Sequence, residues 1–259
     1  MRIPMRIPAL FFFLTILSVA LPAQAGQPIF SEMPRWSDGW GVQAIQEFRH
    51  QRKVFSDGDA RISTSHILNI DGVYTWKRWI RLTAKVPLVL NATREGQARE
   101  RGLGPLTVAL PLKQYFNLDG RSGSWTFTPQ IRAPSTSKIV RGNPWQHGWS
   151  FGYETETYRY LFGLSMAIWG NFEDESFEQD THLHIGTNIH AFGSSGHLKL
   201  HAGVWSPGKR RPSVLEIGPV LYWRFTDLWH FQTKWQYRRH KEPDTLNEHR
   251  VRLGLAMVF

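Results

Sequence analysis

The chain has 259 residues, with 31 Lys and Arg against 21 Asp and Glu, a formal net charge of +10 and no Cys. Without cysteine no disulfide can staple the fold, and a mean hydropathy of -0.36 argues against a bundle of apolar transmembrane helices. The 12 Trp, 16 Phe and 7 Tyr instead give many aromatics with little net hydrophobicity, the composition of strands that face lipid on one side and water on the other.

At the start of the chain, Arg2 and Arg6 precede an apolar stretch from Ala9 to Ala20 and the small-x-small triplet Ala23-Gln24-Ala25. Together they read as a signal peptide over 1–25, cleaved before Gly26, which leaves a mature charge of about +8. The apolar stretch falls short of the roughly 20 residues a spanning helix needs. Nothing after Gly26 is apolar for long enough to span as a helix, so a membrane-embedded mature chain must be a β-barrel. Residues 26–39, with Pro28 and Pro34, read as a periplasmic lead-in, and 40–259 as the barrel.

Side chains alternating with period two between turn signals predict twelve strands. They run Trp40 to Lys53, Arg61 to Tyr74, Trp79 to Leu90, Leu106 to Phe116, Ser124 to Ala133, Gly148 to Tyr158, Tyr160 to Gly170, Thr181 to Phe192, His197 to Trp205, Val214 to Phe225, Trp229 to Arg239 and His249 to Phe259. The connections after the even-numbered strands are tight, as at Thr75 to Arg78 and Thr226 to Leu228, whereas the others are longer and carry much of the Pro, Gly and charge. Short turns at one rim and long loops at the other are the asymmetry of a transmembrane antiparallel β-barrel, and an even strand count puts both termini in the periplasm. Trp76, Trp79, Trp125, Trp223 and Trp229 fall beside the short turns and Trp145, Trp149, Trp169 and Trp205 beside the long loops, which predicts an aromatic belt at each interface. The closing strand places Val251, Leu253, Leu255, Met257 and Phe259 on one face, and its terminal Phe resembles the sorting signal read by the barrel-assembly machinery of Gram-negative bacteria. The expected location is the outer membrane, in contact with its lipid and with lipopolysaccharide phosphates at the basic loops.

Twelve strands enclose a narrow lumen, so function depends on the inner face. In the eighth predicted strand Leu183, Ile185 and Ile189 face lipid, which turns His182, His184, Asn188 and His190 inward; in the ninth, His197, Lys199 and His201 point inward. The same parity gives Lys234, Gln236, Arg238, Arg250 and Arg252 in the last two strands and Arg81 and Lys85 in the third, opposed by Glu154, Glu156 and Glu216. A basic stripe facing carboxylates across a low-dielectric channel sets up a transverse field that favours anionic solutes. The same residues are also what would neutralise one another in a plug.

The five inward histidines suit zinc, copper or nickel by ligand type, but no cysteine or compact carboxylate cluster closes a coordination sphere, so no metal and no cofactor are assigned. A barrel enzyme acting on lipids needs a nucleophile beside a base. His147 and Ser150 are three apart, which on a strand puts them on opposite faces, and Ser63 and Ser65 beside His66 match no better, so no catalytic residue is assigned. Basic residues spread over strands and loops of an exported chain do not read as a nucleic-acid surface.

Several stretches carry a family resemblance. These are Gly102-Leu103-Gly104 with Leu106 to Phe116, Ser124-Trp125-Thr126-Phe127-Thr128-Pro129-Gln130, Gly148-Trp149-Ser150-Phe151-Gly152-Tyr153-Glu154, and Ile217-Gly218-Pro219 followed by Tyr222-Trp223 and Asp227. This pattern resembles the outer-membrane transporter-like proteins grouped as "MetA-pathway of phenol degradation", although Pro105 stands where that family shows Asp after Gly-Leu-Gly. The resemblance implies a barrel for uptake of small, aromatic molecules and transfers no binding residue. The expected function is therefore an outer-membrane channel or transporter for a small, anionic or aromatic solute. The alternatives are a lipid hydrolase of phospholipase or lipid A deacylase type, and a structural or adhesive barrel acting through its loops.

Overall fold

The computed structural model describes residues 37–55, 58–96, 98–118, 121–135, 145–157, 159–172, 177–191, 196–207, 213–240 and 245–259. The expected signal peptide and nearly all of the lead-in lie outside them, as does the side chain of His190. The strands are β1 (Gly39–Val54), β2 (Ala60–Lys77), β3 (Ile80–Arg94), β4 (Glu100–Leu103), β5 (Thr107–Ala109), β6 (Leu112–Leu118), β7 (Arg121–Arg132), β8 (Gln146–Glu156), β9 (Tyr160–Asn171), β10 (Phe177–Ala191), β11 (Gly196–Pro207), β12 (Val214–Arg224), β13 (Trp229–His240) and β14 (Thr245–Val258).

Every pairing between them is antiparallel, and two contacts close the sheet on itself: β2 pairs with β3, and β1 pairs with β14 from Gly41↔Val258 to Val54↔Thr245. With β4, β5 and β6 forming one broken stave, the result is a closed barrel of twelve staves with no free edge. Closure is what lets a sheet satisfy its backbone groups in hydrocarbon. No helix among the described residues is long and apolar enough to cross a membrane.

The fourth stave departs from the single strand Leu106 to Phe116 expected from periodicity. Pro105 and Pro111 have no N–H to donate and split it into three pieces. The wall nevertheless continues through the breaks: Gly104 N–H donates to the Pro87 carbonyl at 2.8 Å, Arg81 N–H to that of Pro111 at 3.1 Å and Leu110 N–H to that of Pro129 at 3.0 Å. The stave also begins earlier, because β4 folds back onto β3 within the segment expected to be a loop.

Facing follows from register, since residues paired across the ladder share a face. Gln43 pairs with Asp71 and donates to it at 2.7 Å inside the barrel, which orients β2: Ile67, Asn69 and Asp71 point in, and Ile62, His66 and Ile70 point out. The irregular alternation of Ile62 to Ile70 has a local cause. A bulge opposite His66 and Ile67 skips Leu90 and buries an inward apolar cluster of Ile67, Val89 and Ala92. On the outside, Leu183, Ile185, Leu215, Ile217, Leu253 and Leu255 are exposed as a lipid-facing band.

The aromatic belts are only partly as expected. Trp76, Trp79, Trp125 and Trp229 are exposed at the short-turn rim and Trp145 and Trp149 at the other. Trp169 and Trp205 instead lie inside, stacked under Arg132 at 3.7 Å and Arg238 at 5.0 Å. Their strand parity is the reason: Trp169 pairs with inward Gly148, and Trp205 is two residues beyond Gly203, which pairs with inward Glu216.

Leu253→Arg places a charge on the lipid face of the closing strand and is expected to lower stability in phospholipid vesicles by about 2–4 kcal/mol. Urea titration monitored by Trp fluorescence checks this, and a change below about 0.5 kcal/mol, the range of an ordinary surface substitution, would contradict the facing.

Candidate functional site

The inner face carries a hoop of charged side chains running across the strands. On β1, Glu47 is 3% exposed at its side chain and accepts from Arg49 on the same strand and from Arg252 on β14 at 2.5 Å, with Arg250 at 3.8 Å. Register explains the contact: Glu47 pairs with Arg252, and Arg49 with Arg250. Arg250 in turn donates to Glu248 at 2.6 Å, and Arg238 on β13 lies between Glu248 at 3.6 Å and Glu216 on β12 at 3.5 Å. A buried carboxylate is tolerable only when cations and hydrogen bonds replace its water, and each of these three has at least two basic neighbours.

Beyond β12 the hoop crosses strands that offer no side chain. His182 on β10 reaches Glu216 at 3.0 Å over β11, where the intervening inward residue is Gly203. A Cβ at Gly203 would stand 2.9 Å from the His182 Nε2 and 3.3 Å from the Glu216 Cγ. The device repeats once: His184 lies 3.9 Å from Glu154 on β8, across Gly163 on β9, where a Cβ would collide with the His184 ring. Glu156, two residues from Glu154, accepts from Lys199.

Inside the hoop is a cavity of about 630 Å3, within the range of small-molecule sites. It is lined by Lys234, Arg238, Arg250 and Arg252 on one side and by Trp169, Trp205, Ser150, Asp180, His182 and Glu216 around the rest. A second space of about 830 Å3 opens at the short-turn rim between Trp79 and the β6–β7 hairpin, with Lys113, Tyr115, Glu154 and Glu156 in its lining.

Of the candidates read from sequence, Lys234, Arg238, Arg250, Arg252 and Glu216 come together at the first cavity. Glu154, Glu156, His184 and His201 take part in ion pairs along the same wall. Glu216 stands among the cations rather than across from them, so the charges interleave more than a basic stripe facing an acidic patch would suggest. Arg81 lies apart, buried in the wall and donating to the Tyr115 hydroxyl at 2.6 Å, and Lys85 is exposed on β3. Three members of the hoop, Glu47, Arg49 and Glu248, are absent from that reading. The first and last strands of a barrel must pair, and aligning them would have placed Glu47 beside Arg252.

The geometry builds no hydrolase centre at the Ser and His residues considered. His147 faces outward, its ring 4.7 Å from that of Phe172, while Ser150 lines the lumen cavity. His66 is 2.6 Å from the Gln46 amide and stacked on Phe48 at the outer face, away from inward Ser63 and Ser65.

A family model and one solved outer-membrane channel agree with this architecture. Residues 25–251 match the family model described as "Putative MetA-pathway of phenol degradation". A crystal structure of the COG4313 outer membrane channel from Pseudomonas putida F1 superposes with a TM-score of 0.66 at 16% identity, covering 90% of this chain and all of that one. The KdgM porin in complex with disordered oligogalacturonate reaches a TM-score of 0.49 at 10% identity, over 83% of this chain and 99% of that one. The translocator domain of the autotransporter NalP from Neisseria meningitidis reaches 0.48 at 10%, over 84% and 88%. No curated protein matches the chain.

Glu47→Ala leaves three arginines around an empty position and is expected to destabilise the barrel by about 3 kcal/mol, as removing one partner from a buried ion cluster does. Equilibrium unfolding of the refolded protein in detergent micelles reads this, and wild-type stability for the variant would show that the cluster is not required.

Proposed function

We propose, from the premise that the chain belongs to the family described as putative MetA-pathway of phenol degradation, that it is an outer-membrane channel admitting small anionic aromatic solutes. The observation that carries this reading is the charge imbalance of the mid-lumen cluster. Five cations, Arg49, Lys234, Arg238, Arg250 and Arg252, stand against four carboxylates, Glu47, Glu216, Glu248 and Asp180. Lys234 makes no ion pair within 4.0 Å among the described residues, while its side chain lines the cavity. A fixed positive charge in a low-dielectric wall raises the local concentration of anions.

The aromatic preference rests on the two inward indoles. Trp169 and Trp205 line the same cavity as Lys234; Trp169 is buried under Arg132, so half-buried Trp205 is the indole against which a flat ring can rest while its carboxylate meets the ammonium. Each indole already has an arginine over it, which holds its plane in place. The cavity's volume falls in the range of small-molecule sites and accommodates a small aromatic acid with its water.

In planar bilayers, benzoate added to the bath is expected to reduce single-channel current in a concentration-dependent way, and benzyl alcohol at equal concentration is expected to have little effect. Lys234→Glu combined with Arg252→Glu should weaken the benzoate block at least tenfold and shift ion preference toward cations. Equal block by the acid and the alcohol, or selectivity unchanged in the variant, would reject the assignment.

A further inference from the structure

We propose that His182, His184 and His201, together with the Glu216 carboxylate, form a binding site for a divalent transition metal of zinc or nickel type in the lumen wall. One ring nitrogen from each of the three histidines lies within 4.8 Å of the other two. Ring centroids stand 5.1 Å apart for His182 and His184, 5.2 Å for His184 and His201, and 6.2 Å for His182 and His201. Nitrogens bound to one metal at about 2.1 Å sit about 3.4 Å apart in a tetrahedron, so ring rotations that move the donors by about an ångström complete the site.

The fourth donor is the group that strand-by-strand reading of the sequence lacked. Glu216 comes from β12 and stands beside the three-histidine cluster, reaching His182 across β11 because Gly203 leaves that strand bare between them. Its Oε1 lies 3.0 Å from the His182 Nε2 and 3.8 Å from the His201 Nδ1, while its Oε2 faces Arg238 at 3.5 Å. The arginine thus fixes the carboxylate with one oxygen turned to the imidazoles, the part an outer-shell partner plays at a metal centre.

Two further observations point the same way. The Nδ1 atoms of His184 and His201 are buried with no hydrogen-bond partner among the described residues, which leaves both free to accept a ligand. Glycine stands on either side of His184, at 163 and 203, where any side chain would press on the His184 or His182 ring. Three imidazoles and one carboxylate with no thiolate form a set for zinc, nickel or copper rather than for magnesium or calcium. Binding requires an unprotonated nitrogen of each ring to face the ion.

The test uses the refolded full barrel in detergent, stripped with chelator and titrated with ZnCl2 by calorimetry in the presence of excess MgCl2. One zinc per chain is expected at micromolar or tighter affinity, unaffected by magnesium. His184→Gln with His201→Gln should weaken it at least about 100-fold, and His50→Gln with His249→Gln, at exposed positions outside the cluster, should leave it unchanged. The wild type alone gives an independent reading: the electron paramagnetic resonance spectrum of bound Cu(II) should show hyperfine coupling to at least two imidazole nitrogens. Absence of stoichiometric binding, displacement by magnesium, survival of binding in the His184/His201 variant, or coupling to fewer than two nitrogens would each overturn the site.

Discussion

The hoop of charge across the inner wall is the constraint on which the rest of this barrel depends. Hydrogen-bond ladders close the cylinder, but they say nothing about which side chains can tolerate its interior. The hoop does, because Glu47, Glu216 and Glu248 are buried and must be matched by cations from neighbouring staves. The Glu47–Arg252 contact joins residues 205 positions apart in sequence, so the pair forms only when the first and last strands meet in register. A slip of the closing strand by one residue would turn Glu248, Arg250 and Arg252 toward lipid, which ties correct closure to charge pairing.

Glycine extends the hoop past the strands where pairing alone would stop it. Neighbouring staves lie roughly 4.8 Å apart, so side chains two staves away meet only if nothing projects between them. Gly203 and Gly163 supply those gaps, and through them carboxylates from β8 and β12 converge on histidines from β10 and β11. The hoop holds more cations than carboxylates, and Lys234 lines a cavity that two indoles also line. On the proposed reading, one arrangement holds the wall together and gives the lumen a positive field beside aromatic surfaces.

Much of the barrel was legible in the sequence because the lipid face writes itself as period two. The last five staves illustrate this: Leu183 and Ile185, Leu215 and Ile217, and Leu253 and Leu255 alternate with polar residues and so orient His182, Glu216 and Arg252 without tertiary information. Legibility failed where another rule overrode alternation. Prolines at 105 and 111 broke the fourth stave, and the bulge at Leu90 brought an apolar cluster to the inner face of β2 and β3. Trp169 and Trp205 sit near strand ends like belt residues, but their parity turns them in under arginines. The partnership of Glu216 with His182 was hidden for a different reason, since it spans two staves and depends on what a glycine leaves out.

The central claim is that the interleaved hoop leaves a net positive charge at the middle of an open lumen. The reversal potential of single wild-type channels in a planar bilayer under a KCl gradient tests it most directly. The account predicts discrete conductance with a reversal potential displaced toward the chloride equilibrium value, shrinking as salt rises and screening shortens the reach of the charge. A reversal potential displaced toward the potassium value, or a folded barrel that conducts no current, would contradict it.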